Sequence, residues 1–444
     1  MTLAAGVSVL GAARRANAQG YGLYEQGTCQ MGRAGAGVAA PCDDGSAVFF
    51  NPAGLARATT PVVSGGLAGI SPRGTFTNTS TGLVSTLNDR TFPVPTVYAA
   101  FPLGPRFVIG AGLFAPYGLT TDWPTSAEGR YLGYYSSLKS IYVQPTAALE
   151  VNSRLSVGGG LDITHASADL RQRVDLSTQP ITGTPFTFAA IGVPAGTDFA
   201  DVQLTGSATH VGGHVGVLMQ ATDRVSFGAR YLFRQTITID DGMLDSTQIA
   251  TNLTLRVPLG PTLPAGTPID PIVARAFAPG GSLADQGAST SVPLPDQFVA
   301  GVAFKVNPQL LLLADYQYTH WAMFDVLTVT PQTGPPQVTQ EQYGDTHGVR
   351  LGAEYAARPL IVRAGFDAHN AAAPDQSVTP RLPEAGRWEL AGGVGVPASG
   401  AVRVDFAYMF VHQSDRDGRS GELPNNGVYH YYANLISAQV VVRF

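Results

Sequence analysis

From residue 61 onward, apolar and polar side chains alternate in segments of about ten residues separated by Gly, Pro, Asn or Asp, the pattern of membrane-barrel strands. Fourteen segments fit the pattern: 61–71, 94–103, 106–116, 138–150, 153–173, 201–220, 223–240, 293–306, 309–330, 343–356, 359–369, 385–396, 400–414 and 430–444. An even number is what bacterial barrels require. Four joins are very short, Leu103-Gly-Pro-Arg106, Val151-Asn-Ser-Arg154, Ala221-Thr-Asp-Arg224 and Val306-Asn-Pro-Gln309. The intervening joins 117–137, 174–200 and 241–292 are long, so short turns fall on one rim and long loops on the other. In 400–414, Val402, Val404, Phe406, Tyr408 and Phe410 are predicted to face lipid, with Arg403, Asp405 and Ala407 facing the lumen. Tyr98 and Phe101 are predicted on opposite faces. The last segment runs to Phe444, a terminal aromatic residue placed where a barrel closes and a handle for the barrel-assembly machinery.

Composition narrows the reading. Only 13% of residues are charged and 44% are hydrophobic, whereas a soluble α/β enzyme carries about 25% charged residues. No run of about 18 apolar residues offers a membrane helix, which leaves the closed barrel as the other structure able to cross lipid. The expected fold is therefore all-β, a transmembrane antiparallel barrel of 14 strands; a secreted β-rich soluble protein is the alternative. Net charge is −5 with no basic stripe, which argues against nucleic acid. No HExxH spacing occurs among the eight histidines. Neither a phosphate-binding loop nor a GxSxG elbow occurs, so no metal, cofactor or enzymatic activity is expected.

The first residues read differently. Residues 1–18 have the apolar run and the Ala16-Asn17-Ala18 cleavage form of an export signal, with the mature chain expected to begin at Gln19. Residues 19–58 are rich in small residues and weakly periodic, which predicts a compact plug with short helices ahead of a barrel over 59–444. Cys29 and Cys42 are the only cysteines; an exported protein favours a disulfide between them, and two free thiols are the alternative.

Five ordered blocks carry a family resemblance: Asp43-Asp-Gly-Ser-Ala-Val-Phe-Phe-Asn51-Pro52-Ala53-Gly-Leu, Ala115-Pro-Tyr117-Gly118-Leu119-Thr-Thr-Asp-Trp123, Leu294-Pro-Asp-Gln-Phe298, Asp315-Tyr-Gln-Tyr-Thr-His-Trp321-Ala-Met-Phe324 and Leu382-Pro-Glu-Ala-Gly-Arg387-Trp. Together the chain resembles the FadL family (OMPP1/FadL/TodX), outer-membrane transporters of long-chain fatty acids and hydrocarbons. The resemblance implies an N-terminal hatch in the lumen, ligand capture among outer loops, and sideways exit through a gap at a kink in the third strand. Asn51, Pro52 and Ala53 then belong to the hatch gate, and Ala115, Pro116, Tyr117 and Gly118 to the kink. Pro116 cannot donate to a ladder and Gly118 tolerates unusual backbone angles; Asn51 is a candidate partner for the freed backbone groups. The simpler reading of 115–118 is a strand end entering a loop.

Phe114, Trp123, Tyr131, Leu132, Tyr134 and Tyr135 are candidates for a hydrophobic ligand groove, or for the aromatic girdle of any barrel. Lys139, Arg171, Arg173 and Arg387 are candidates for binding a carboxylate, or lumen cations paired with strand acids. The leading function is passive transport of hydrophobic small molecules across a Gram-negative outer membrane, by a monomer bathed in outer-membrane lipid. A general porin is the second reading. A barrel lipid hydrolase or acyltransferase, using one of His165, His210, His214 or His320 with a serine, is the third.

Overall fold

The computed structural model describes residues 20–181, 184–418 and 425–444; the expected export signal and Gln19 lie outside these. Fourteen antiparallel strands close into one barrel. They are β1 (Val62–Asn78), β2 (Phe92–Pro102), β3 (Phe107–Phe114 continued by Gly118–Asp122), β4 (Tyr135–Asn152), β5 (Leu155–Asp175), β6 (Asp198–Gln220) and β7 (Val225–Leu232 continued by Gln235–Gln248). The ring continues with β8 (Gln286–Leu294 continued by Gln297–Lys305), β9 (Leu310–Thr319), β10 (Thr346–Ala357), β11 (Leu360–His369), β12 (Arg387–Pro397), β13 (Val402–Asp417) and β14 (Gly427–Arg443). Closure is a single unbroken ladder between β1 and β14, from Val62↔Arg443 to Asn78↔Gly427. No free edge remains there to bind another chain.

Every predicted segment contains a strand of this ring. β1, β7 and β8 run about seven or eight residues beyond the predicted 61–71, 223–240 and 293–306, whereas 309–330 ends as a wall strand at Thr319 and Val326–Pro331 and Gln337–Gln340 form a hairpin in the outer loop instead. The period-2 reading of β13 holds. Phe406 and Tyr408 are 48% and 47% exposed, whereas Arg403, Asp405 and Ala407 are buried. Tyr98 is buried and Phe101 exposed, on opposite faces of β2. Outward apolar side chains such as Val143, Leu149, Val157, Leu161 and Val215 are also exposed, a belt that water would not tolerate and lipid covers.

Residues 20–58 contain only short helical turns, Thr28–Met31, Ala47–Phe50 and Pro52–Arg57. Their partners lie on opposite sides of the ring. On one side, Arg33 pairs with Glu354 of β10 at 2.7 Å. The N–H groups of Gly37 and Val38 donate to the Asp315 carboxylate of β9 at 2.7 and 2.9 Å. Arg403 of β13 holds Asp43 at 2.8 Å. Those lumen acids are shared with strand arginines: Arg363 reaches Glu354 at 2.8 Å and Asp405 at 2.7 Å. Unpaired, each such charge would be expensive to bury.

The opposite side offers glycine instead of charge. A Cβ on Gly158 of β5 would lie 2.5 Å from the Pro52 carbonyl carbon, and one on Gly216 of β6 would lie 2.3 Å from Asn51 Oδ1. These strands lack side chains where the turn 51–57 sits. That turn is set locally: Asn51 Oδ1 accepts the Ala53 N–H at 3.1 Å while Pro52 occupies the first helical position. Cys29 and Cys42 are bonded, with Cα atoms 6.4 Å apart.

Gly158→Val therefore displaces residues 51–57 without touching the lipid face. We expect the variant to insert as a barrel and to show larger ion conductance in planar bilayers. Conductance equal to the wild type would mean that the turn does not obstruct the lumen.

Candidate functional site

The third strand is interrupted where the Ala-Pro-Tyr-Gly sequence occurs. Up to Phe114, β3 pairs with β2 on one side (Val97↔Leu113 to Pro102↔Val108) and β4 on the other (Phe107↔Leu149 to Phe114↔Tyr142). Beyond the interruption it pairs with β4 alone, from Gly118↔Lys139 to Asp122↔Tyr135. Across from it, residues 92–96 of β2 pair with β1 alone. The reason lies in both strands. Odd-numbered N–H groups of β2 point to β3, as Leu103 N–H donating to Phe107 O shows. Pro93 and Pro95 therefore delete two donors from the edge that faces β3, while Pro116 interrupts β3 itself, whose register against β4 slips by one residue between Phe114↔Tyr142 and Gly118↔Lys139. The wall closes again outside the gap, where Asn88 N–H donates to Asp122 O at 2.8 Å and Arg90 pairs with Asp122 at 2.6 Å.

The freed backbone groups are taken up by residues 21–26. Gln26 mimics a peptide: its Oε1 accepts Ala115 N–H at 3.0 Å and its Nε2 donates to Ala115 O at 2.8 Å. Leu23 N–H donates to Pro116 O at 2.8 Å, and Gly118 N–H to Tyr21 O at 2.9 Å. Gly22 and Tyr117 form an antiparallel bridge. The N-terminal residues thus act as a stand-in strand on the lumen side. Two hydroxyls tie it across the barrel to β8, Tyr21 to Pro293 O and Tyr117 to Pro295 O.

A cavity of about 340 Å³ adjoins this stand-in strand. Its lumen side is walled by Leu23, Leu138, Leu382, Val411 and Leu435, and its wall side by residues 92–95 and Ile141. Phe92 and Val94 alternate there with the exposed Pro93 and Pro95, and Ile141 is 46% exposed on the barrel exterior. The cavity therefore runs through the wall, between 92–96 and 118–122.

Four charged residues touch it: Glu25, Lys139, Glu384 and Arg387. Arg387 donates to Gly22 O at 3.3 Å and pairs with Glu389 at 3.0 Å. Glu384, in the outer loop between β11 and β12, is buried and accepts N–H bonds from Gly20, Ala372 and Ala373 at 3.1, 3.0 and 2.8 Å. Burial pushes its carboxyl up to about 7, against the pull of those three N–H groups.

Several expected residues lie elsewhere. Asn51 does not reach the interruption; its amide donates to Val38 O at 2.7 Å and Val217 O at 3.0 Å, because the turn 51–57 is seated on β5 and β6. Gly118 is not among the residues with positive φ. What it supplies is room, since a Cβ there would lie 3.1 Å from Leu23.

None of the six groove candidates lines the cavity. Phe114 is sealed between Tyr98 and Tyr142, with ring centroids 5.7 and 6.1 Å away. Trp123 donates to Pro380 O at 3.0 Å; Tyr131 and Tyr134 bind Asp198 and Asp201 at 2.6 and 3.0 Å. Tyr135 stacks under Arg171, and Leu132 caps the short turn Glu128–Tyr131. Their polar atoms fold the loop onto the rim.

Of the four cations, Lys139 and Arg387 reach the cavity. Arg171 and Arg173 do not; they pair with Asp169 at 2.7 Å and Asp201 at 3.3 Å. The residues that sequence reasoning missed are Tyr21, Leu23, Gln26, Pro93 and Pro95. The Phe92-Pro-Val-Pro spacing was the available signal, two prolines on one edge just ahead of the predicted segment 94–103.

Two clusters invite chemistry and do not support it. Asp367, His369 and Glu389 bring three possible metal-ligand atoms together, but Arg350 stands 3.6 Å from Asp367 and Arg387 3.0 Å from Glu389. Those guanidiniums already neutralise the carboxylates and would repel an added cation. His214 lies between Asp162 at 2.6 Å and the Thr146 hydroxyl at 3.0 Å. All three are buried and none lines the cavity, so a substrate would have no approach.

Residues 9–444 match the family model for outer membrane protein transport proteins (OMPP1/FadL/TodX). A 47 kDa outer membrane protein of Pasteurella multocida is 26% identical over 97% of this chain and 95% of that one. A long-chain fatty acid transport protein of Escherichia coli K12 is 24% identical, covering 93% and 90%. Two solved structures share the fold: a FadL homologue of Pseudomonas aeruginosa (TM-score 0.79, 19% identity, 96% and 100% covered) and the Pseudomonas putida toluene transporter TodX (TM-score 0.69, 17%, 96% and 99%).

Two outcomes follow from the geometry. Gln26→Ala leaves the Ala115 N–H and C=O without partners, at a local cost of about 1–3 kcal/mol; amide exchange at 115–118 should accelerate while the rest of the barrel keeps its protection. Glu384 has a folded pKa above the ordinary carboxylate value, so its stabilising contribution is complete at low pH and is lost as pH rises toward and through 7. The melting temperature of Glu384→Gln relative to wild type should therefore climb between pH 5 and pH 8; a constant difference would refute the raised pKa.

Proposed function

The chain belongs to the OMPP1/FadL/TodX family of outer-membrane transport proteins, and from that premise we propose that it carries hydrophobic small molecules inward by diffusion, releasing them sideways into the membrane at the interrupted third strand. The observation carrying this reading is the cavity that passes through the wall between residues 92–96 and 118–122. A hydrophobic solute entering it leaves water on the lumen side and meets the outer leaflet, at the boundary of headgroups and hydrocarbon, on the other. The hydrophobic effect then supplies binding and release without an energy source.

In this reading residues 20–58 are the hatch. Its body, including Asn51, Pro52, Ala53 and the bonded Cys29 and Cys42, stays anchored by the lumen ion pairs and glycine seats. The moving part is residues 21–26, held to the interruption by four hydrogen bonds from three residues. Their withdrawal would join the outer loops to the gap. A lumen filled in this way is poorly suited to the polar solutes of a general porin.

The cargo we favour is a long-chain acid. Arg387 inside the cavity and Lys139 on its outer lip give a carboxylate two successive partners, while the leucines and prolines take the chain. A neutral monoaromatic hydrocarbon is the second reading, because Glu25 and Glu384 on the same wall oppose an anion.

Uptake of labelled oleate and labelled toluene by cells lacking their own carrier tests the proposal. We expect oleate uptake with the wild type, loss of most of it in Arg387→Ala or Lys139→Ala, and loss of all of it when Gly118→Val presses on Leu23. Toluene uptake that survives both cation substitutions would select the hydrocarbon reading. Entry of small sugars with neither ligand would overturn the transporter.

A further inference from the structure

A second departure from regular pairing lies between β6 and β7. The two strands pair from His214↔Leu232 to Gln220↔Ser226, and again only from Thr205↔Met243 to Ala200↔Gln248. Residues 206–212 of β6 pair with β5 alone. At the outer end of this seam, on the barrel exterior, is a depression of about 420 Å³. Its floor is made of small groups, Ser137, Ser167, Ala168, Gly206 and Ser207. Lys139, Asp169 and Asp241 stand around it.

Its height on the wall identifies what meets it. Exposed apolar positions below it on the same panel include Ile141 and Val143 of β4, Leu161 and Ile163 of β5, and Val211 and Val215 of β6; Met243 of β7 borders the depression itself. From Leu155 to Ile163 β5 already provides about the 9–11 residues that cross hydrocarbon. Ser167 and Asp169 follow on the same face, so the depression begins one to two residue pairs beyond the hydrocarbon, at headgroup level. A molecule seated in it has its acyl chains alongside the apolar positions below.

The polar groups define the headgroup. Lys139 offers an ammonium, and no ion-pair partner for it is found among the described residues. The acid next to it, Asp169, is already neutralised by Arg171 at 2.7 Å. Serine and threonine hydroxyls, and the backbone of 206–207 on its side away from β5, supply further donors and acceptors of the kind that bind sugar hydroxyls. Asp241 on the far side adds an acceptor. We propose that this depression binds the phosphorylated sugar headgroup of an outer-leaflet glycolipid, with Lys139 on the phosphate. The inference rests on the outer-membrane location and not on the identity of the cargo.

Titrating nanodisc-reconstituted protein with bis-phosphorylated lipid A, followed by native mass spectrometry, tests it. Lys139→Gln should weaken binding about fivefold, the share of one cation near a membrane surface. Ser207→Tyr, which fills the depression, should abolish binding while oleate uptake stays at the wild-type rate; Ser167→Tyr repeats the test from the neighbouring strand. Removing the phosphates from lipid A should cost at least as much as Lys139→Gln. Equal binding by wild type and the three variants would overturn the site. Phosphatidylglycerol competing as well as lipid A would overturn the glycolipid, and retention of inorganic phosphate alone would reduce it to an anion site. Loss of oleate uptake by cells with intact lipid A binding bears on the transport reading instead.

Discussion

A peptide group in a membrane wall must be paired inside the protein, because hydrocarbon offers it no partner. Most seams of the barrel meet that requirement by ladder pairing, as the unbroken one between β1 and β14 does. At the β2–β3 seam Pro93 and Pro95 remove two of the donors it would need, and the structure meets the same requirement with a different element. Tyr21, Leu23 and Gln26 come from the lumen to the exposed backbone of 115–118. The gap and the N-terminal segment are therefore one construction: the wall is open only because another piece of chain satisfies its edge.

That piece of chain can do so only if the rest of residues 20–58 is held in place. The anchoring is asymmetric. Toward β9–β13 it is electrostatic, a chain from Arg33 and Asp43 through Glu354, Arg363, Asp405 and Arg403 in which each buried charge has an opposite neighbour. Toward β5 and β6 it is steric, with Gly158 and Gly216 leaving room for Asn51 and Pro52. Charges resist sliding and glycines admit a close fit, while residues 20–26, beyond both anchors, are held by hydrogen bonds and by the packing of Tyr21 against Trp321 and of Tyr24 against Phe49.

Charge at the cavity is balanced in the same spirit. Arg387 is shared between Glu389 and the Gly22 carbonyl, and Glu384 gathers three N–H groups including that of Gly20. Glu384 and Arg387 thus both touch the segment that covers the cavity. A ligand anion competing for Arg387 would act on the same contact that keeps residues 21–26 in place.

Much of this molecule was legible in the residues themselves. A period of two, turn residues at regular spacing and alternating join lengths predict a fourteen-strand barrel, because the side-chain direction of a strand is set residue by residue. The break at Ala115-Pro-Tyr-Gly was expected chiefly from the family resemblance, since Pro116 by itself fits a strand end entering a loop equally well. The ligand surface was not legible. Trp123, Tyr131 and Tyr134 look like a greasy patch in sequence, yet their polar atoms find Pro380, Asp198 and Asp201 far along the chain and turn them into loop packing. Arg171 and Arg173 are likewise spent on acids, Asp169 and Asp201. Which aromatic or cation is left for a ligand depends on partners that range from two residues along the same strand, as for Arg171 and Asp169, to the far loop that brings Pro380 to Trp123. Local pattern determines where the wall is and where it fails; only the tertiary fold decides which side chains remain unspent at the opening.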